Sequence, residues 1–233
     1  MDPRDAHRRS SRRRAPVIDD DITGKELDRE VRQDLATLAA PVAGTVARHL
    51  VMAGRLLDTE PELAYAHTQE ARRLAGRVAV VREAAGYAAY EAGHYDVALS
   101  ELRAARRMSG RVEYLPVMAD CERGVGRSER ALLLADDPGV ASLDAEGRAE
   151  LALVLCGALR DLGRSDEAEQ RLRAALPARP PEAQWVARLH YALGDLLAET
   201  GRTDDAVAAF STAEAGDLEG SLDAGERLVE LLG

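Results

Sequence analysis

The side chains best able to do chemistry are scattered along this chain rather than gathered. Of the five histidines, His7, His49, His67, His94 and His190, none stands four residues from another with a Glu between, and none lies beside a cysteine at zinc-ligand spacing. Gly124 and Gly126 lack the Gly-Lys-Ser/Thr ending and the preceding strand of a phosphate-binding loop. The acidic pairs Asp136-Asp137 and Asp204-Asp205 fall at turns or helix starts, where the helix dipole accounts for them. Cys121 and Cys156 are far apart in predicted helices and are expected to be reduced packing residues, not a redox pair. The expectation is therefore a protein with no catalytic residues, no metal and no cofactor. The chemistry that remains is recognition, by arginines that pair with anions and by tyrosines that offer a ring and a hydroxyl.

The elements that would position such residues follow from a repeated pattern. Leu193-Gly194 is followed by Gly201, then by Ala206, Phe210 and Ala213. Ala85-Gly86 is followed in the same frame by Gly93, Tyr95, Ala98, Leu102 and Ala105. Gly126, Ala131 and Ala135 repeat the pattern, as do Gly163, Ala168, Leu172 and Ala175, and a weaker first copy has Asp58, Ala64, Thr68 and Ala71. Framed on these turns, repeats start near Thr45, Ala79, Val112, Ala149 and Ala187, at separations of 34, 33, 37 and 38 residues. The spacing Leu-Gly, then Ala-x3-Phe, then Ala resembles the tetratricopeptide repeat, a helix-turn-helix unit of about 34 residues. The longer separations place their surplus in loops, at Asp136-Asp137-Pro138-Gly139 and at Pro177 to Pro181, because Pro and Gly mark connections.

Small residues set against large ones give the pattern a physical reason. Gly86, Gly194, Ala98 and Ala206 let helix axes approach, while Leu102, Leu172 and Phe210 fill the space between them. The turns Gly126-Arg-Ser-Glu-Arg-Ala, Gly163-Arg-Ser-Asp-Glu-Ala and Gly201-Arg-Thr-Asp-Asp-Ala predict a helix ending at a left-handed Gly. Ser128, Ser165 and Thr203 are then expected to cap the next helix, with acidic residues in its positively polarised first turn. Apolar residues make up 46% of the chain but aromatics only 3%, so the core is aliphatic and built from good helix formers. The expected fold is all-α: a right-handed α-solenoid of about five such hairpins over residues 23–233, with flanking helices near 24–39 and 223–232 as caps. No run of about 20 apolar residues occurs and the Arg-rich N-terminus lacks an apolar stretch. Neither a membrane span nor a secretion signal is expected, and the compartment read from this is the cytoplasm.

In the repeat family that the spacing resembles, the first helix of each hairpin lines an inner surface through its positions 2, 5, 9 and 12. Here these are Val46, His49, Ala53 and Leu56, then Val80, Glu83, Tyr87 and Tyr90, then Glu113, Pro116, Asp120 and Arg123. They continue with Glu150, Leu153, Gly157 and Arg160, and end with Arg188, Tyr191, Asp195 and Ala198. Tyr87, Tyr90 and Tyr191 would pack on apolar peptide side chains, and Arg123, Arg160 and Arg188 would pair with carboxylates. The competing reading has the tyrosines filling inter-repeat space and the arginines bound to acidic neighbours. Tetratricopeptide domains that clamp a C-terminal carboxylate use Lys and Asn at inner positions 5 and 9. His49 and Ala53 stand there in the first copy, so that specificity is not indicated.

Charge is unevenly distributed, at +1 over residues 1–22, 0 over 23–130 and −11 over 131–233. The acidic C-terminal half would repel nucleic acid. Residues 1–22 have almost nothing to bury and are expected to form a disordered tail, with Arg4 and the cluster Arg8, Arg9, Arg12, Arg13 and Arg14 ahead of Asp19-Asp20-Asp21. Such a cluster could neutralise phosphates of RNA or DNA. The stronger reading is a solvated tail in an Arg-rich chain, which has one lysine, Lys25, against thirty arginines.

Longer stretches carry a closer likeness. Ile22 to Val31, Ala47 to Leu57, Val80 to Gly86, Leu102 to Gly110 and Tyr114 to Gly124 resemble an uncharacterised tetratricopeptide family of actinobacteria, over roughly residues 20–232. The resemblance implies the repeat fold and an Arg- and Gly-rich N-terminal tail, though the tail here is shorter and lacks the Gly repeats. The leading expectation is a scaffold that binds a peptide or protein partner in its concave groove, between the second and fifth repeats. The alternative is a nucleic-acid-associated protein that uses the tail.

Overall fold

A helix follows each of the glycine turns that the repeat pattern marks. A computed structural model describes residues 15–178 and 182–233. Among them are twelve α-helices, two short 3-10 turns and no strand. The chain divides between Gly110 and Arg111 into two compact units.

The first unit contains α1 (Arg29–Leu35), α2 (Ala40–Leu56), α3 (Pro61–Ala75), α4 (Ala79–Glu91) and α5 (Tyr95–Ser109). Helices α2 with α3 and α4 with α5 form hairpins, α3 packs on α4, and α2 also touches α4. Gly86 of α4 shows why the hairpin is tight. A β-carbon there would lie 2.5 Å from Leu102 Cδ2 on α5, so only hydrogen fits opposite the leucine. Fully burying such a leucine contributes about 1.5–3 kcal/mol. The remaining core is aliphatic, around Leu35, Val46, Leu50 and Val81.

The second unit contains α6 (Leu115–Gly124), α7 (Ser128–Leu133), α8 (Ala145–Asp161), α9 (Ser165–Ala175), α10 (Gln184–Glu199), α11 (Thr203–Gly216) and α12 (Ala224–Leu232). Hairpins α6/α7, α8/α9 and α10/α11 follow one another, and the first helix of each touches the first helix of the next. Gly194 repeats the device of Gly86, since a β-carbon there would meet the Phe210 ring at 3.0 Å. Phe210 is the centre of a core that includes Leu172, Leu189 and Leu197. Helix α7 is only 6 residues long and gives way to 3-10 turns at Leu134–Asp136 and Pro138–Ser142. The surplus expected at Asp136 to Gly139 lies there. That expected after Pro177 ends in residues 179–181, outside the described residues.

Gly93, Gly126, Gly163 and Gly201 share a φ of 72–77°, so the hairpin turns are one conformation used four times. The capping expectation differs from what is found. Ser128, Ser165 and Thr203 are the first residues inside their helices, and Arg127, Arg164 and Arg202 hold the cap position without a side-chain cap bond. Arginine has no acceptor to offer an N–H. Instead Arg164 binds Glu167 at 2.6 Å and Arg202 binds Asp205 at 2.5 Å, each one turn into the helix.

Residues 15–22 belong to the expected tail. Ile22 is nonetheless buried, Arg48 Nε donates to its carbonyl at 2.9 Å, and Arg55 pairs with Asp21 at 2.7 Å and Asp19 at 3.2 Å. One apolar anchor and an acidic run facing a basic side chain hold this segment against α2. No helix among the described residues is long and apolar enough to cross a membrane.

Candidate functional site

In the first unit, α2 and α4 run side by side with short side chains between them. Leu50, Ala53 and Gly54 on α2 and Val80, Ala84 and Tyr87 on α4 line an open cleft of about 230 Å³. Ala53, Val80, Glu83 and Tyr87 are among the positions expected to face inward, and all four line it. Gly54 is exposed, and a β-carbon there would meet nothing within 4 Å. The cleft can therefore take an apolar side chain of another molecule, with the half-buried Tyr87 at its edge. Tyr90 lies elsewhere, its ring 5.9 Å from that of Tyr95 across the hairpin turn.

In the second unit the arginines expected to face inward, Arg123, Arg160 and Arg188, each pair with carboxylates of their own or a neighbouring helix. Arg123 on α6 binds Asp161 on α8 at 2.6 Å and its neighbour Asp120 at 3.4 Å. Gly157 makes room for this, since a β-carbon there would lie 2.8 Å from the Arg123 guanidinium carbon. Arg160 on α8 binds Asp195 and Glu199 on α10, and Arg188 on α10 binds Glu150 on α8. Asp195 also receives Arg227 of α12 at 2.7 Å, so one carboxylate bridges two arginines. The Asp161 bond holds the Arg123 pKa above its ordinary value. Burial is the largest single influence on Arg160 and lowers its pKa, but the bond to Glu199 and the charges of Glu199 and Asp195 together outweigh it, so the pKa is raised as well. Tyr191 donates its hydroxyl to Asp223 at 2.5 Å and stands edge-on to Phe210, while Arg227 lies 5.1 Å over that ring. Burial first, and the Asp223 carboxylate second, push the Tyr191 pKa up.

Two arrangements in the first unit have no signature in the sequence. His49 on α2 and His67 on α3, 18 residues apart, share a bond between their Nδ1 atoms at 2.9 Å and are buried. Only one of these nitrogens can carry the proton. His67 Nε2 has no partner, so the tautomer with the proton on His67 Nδ1 avoids burying an unpaired N–H. Burial, then the neighbouring His49, lower the His67 pKa to about 4, and burial lowers that of His49. The pair is a neutral packing element at pH 7. Glu101 on α5, 2% exposed, accepts from Arg82 of α4 at 2.7 Å and pairs with Arg72 of α3 at 3.1 Å. One buried carboxylate thus ties three helices.

Cys121 and Cys156 are buried and not joined in a disulfide, and burial raises the Cys156 thiol pKa. No three His, Cys, Asp or Glu side chains converge as metal ligands among the described residues. The tail arginines Arg8, Arg9, Arg12, Arg13 and Arg14 lie outside the described residues. No protein-family model matches the chain, and no curated protein matches it.

Proposed function

We propose that this chain is a non-catalytic scaffold of the tetratricopeptide type, a cytoplasmic α-solenoid that binds a peptide or protein segment in the groove lined by its first helices. Support for the repeat comes from the four turn glycines of one conformation and from the two places where a leucine or phenylalanine seats on a helix glycine. The observation that carries the binding role is the cleft between α2 and α4. It lies on inner positions of the repeat, its walls are apolar apart from Glu83, and Tyr87 offers a ring to a side chain seated there. A helix-borne cleft of this kind takes one apolar anchor of an extended or helical segment, with pockets giving specificity.

Gly54 provides the test. Leucine is favoured over glycine inside a helix by about 0.8 kcal/mol, and the added side chain projects into open space. Gly54→Leu is expected to keep or raise the melting temperature while filling the cleft. A protein that co-purifies with the full chain is then retained at least tenfold less well by the variant. Unchanged retention by a folded Gly54→Leu protein overturns the cleft as the binding site.

A further inference from the structure

The two departures from the 34-residue period converge on one cavity in the second unit. Helices α3, α5, α9 and α11 run for 15, 15, 11 and 14 residues, whereas α7, in the equivalent place, stops after 6. The flank of α8 is left without the cover that a full second helix provides. A cavity of about 680 Å³ occupies this place, within the range of small-molecule sites. Leu151 and Leu155 of α8 and Leu132 at the end of α7 form its floor. Its walls come from both over-length connections, Val140 from the first and Pro177 from the second, with Trp185 at the start of α10. A regular repeat needs neither insertion.

The charge at the mouth is the reverse of its surroundings. Residues 131–233 carry −11, yet among the described residues Arg148, Arg164 and Arg171 line this cavity with a single carboxylate, Glu167. Arg164 is occupied by Glu167, at 2.7 and 2.6 Å, and Arg148 donates to the Leu143 carbonyl. Arg171, half-buried on the same helix as Glu167, interacts with it through charge. Three guanidinium groups against the carboxylates of Glu167 and of Glu129, 3.8 Å from Arg164, leave the mouth positive over an aliphatic floor. A peptide would bring backbone N–H and C=O groups that need partners, and beyond the arginines the polar groups of the lining among the described residues are those of Glu167, Gln170 and the Trp185 indole N–H. An acyl chain brings none.

We propose that this cavity binds an aliphatic monocarboxylate, its chain on the leucine floor and its carboxylate paired with Arg171 and Arg148. The site is independent of the α2/α4 cleft and stands whether or not that cleft binds a peptide.

Trp185 is the sole tryptophan of the chain and lines the cavity, so its emission reports occupancy directly. Dodecanoate, added to the full chain at pH 8 below its micellar concentration, is expected to give a saturable shift of that emission. Dodecyltrimethylammonium, with the same tail and the opposite charge, is expected to bind at least tenfold more weakly. Arg171→Glu is expected to weaken dodecanoate at least tenfold. Ala174→Leu, at an exposed position of the mouth, is expected to obstruct entry without changing any charge, with helicity checked by circular dichroism. No saturable shift, equal binding of the cation, or wild-type affinity in both folded variants overturns the proposal.

Discussion

In the unit ending at Gly110, α2 and α4 face each other with Leu50, Ala53, Val80 and Ala84 and leave a cleft beside Tyr87. In the unit beginning at Arg111, α6, α8 and α10 face each other with Arg123, Asp161, Arg160 and Asp195, and ion pairs span the same kind of gap. One hairpin design thus gives two surfaces. Short apolar side chains on neighbouring first helices leave room for a guest, whereas long charged ones reach each other and satisfy themselves. Each unit also buries one paired carboxylate, Glu101 with Arg72 and Arg82 from two other helices in the first and Glu122 with Arg127 in the second, whereas the pairs that join α6, α8, α10 and α12 have members a quarter to a half exposed.

The largest effect should come from Glu101. Removing one member of a buried ion pair costs about 3–5 kcal/mol, and partial exposure of Arg72 and Arg82 lets them rehydrate, which places Glu101→Ala near about 3 kcal/mol. Urea unfolding measures it. A loss under about 1 kcal/mol would put Glu101 on a level with the exposed pairs of the second unit and break the comparison. The histidine pair comes next. With a folded pKa of about 4 against about 6.5 unfolded, His67 is protonated first in the unfolded chain, so stability is full above pH 6.5 and falls as pH drops towards 4. The loss is about 2–3 kcal/mol, because each tenfold difference in proton affinity between the folded and unfolded chain is worth about 1.4 kcal/mol. Thermal denaturation of wild type and of the double variant His49→Leu with His67→Leu, from pH 7.5 to 4, should show a slope in this window that the variant lacks. Equal slopes would remove the pair as its cause. The smallest effect belongs to the second unit's ladder. Arg123→Ala should cost less than about 1 kcal/mol, and less still in 1 M salt, because both partners are over a third exposed. A salt-independent loss of several kcal/mol would mean that these pairs behave as buried ones.

The parts of this molecule legible in its sequence are those decided by side-chain size. Gly86 against Leu102 and Gly194 against Phe210 recur at a fixed offset because a hairpin of two helices repeats its closest approach in each unit. The left-handed turn glycines are legible for the same local reason. Partner choice is not local. Arg160 has Asp195 and Glu199 within reach only because α8 and α10 are neighbours, and nothing in the order of residues says which carboxylate a long side chain will take. His49 and His67 look unrelated in the sequence, 18 residues apart on different helices, and become one group when α2 and α3 pack. The serines and the threonine lie one residue inside their expected place because each helix begins directly after the arginine that follows the left-handed glycine, which gives the cap position to the arginine. The two long repeat separations are legible as loops, while the cavity they wall depends on α7 ending early, which periodicity does not encode.

The most direct measurement is retention of a co-purifying partner by Tyr87→Ala set beside retention by Arg123→Ala and Arg160→Ala, all three checked for helicity. At least a tenfold loss is predicted for Tyr87→Ala and near wild-type retention for the two arginine variants, because the inner face is open in the first unit and self-paired in the second. Loss of the partner from the arginine variants with retention by Tyr87→Ala would contradict this and move the binding surface to the ion-pair ladder.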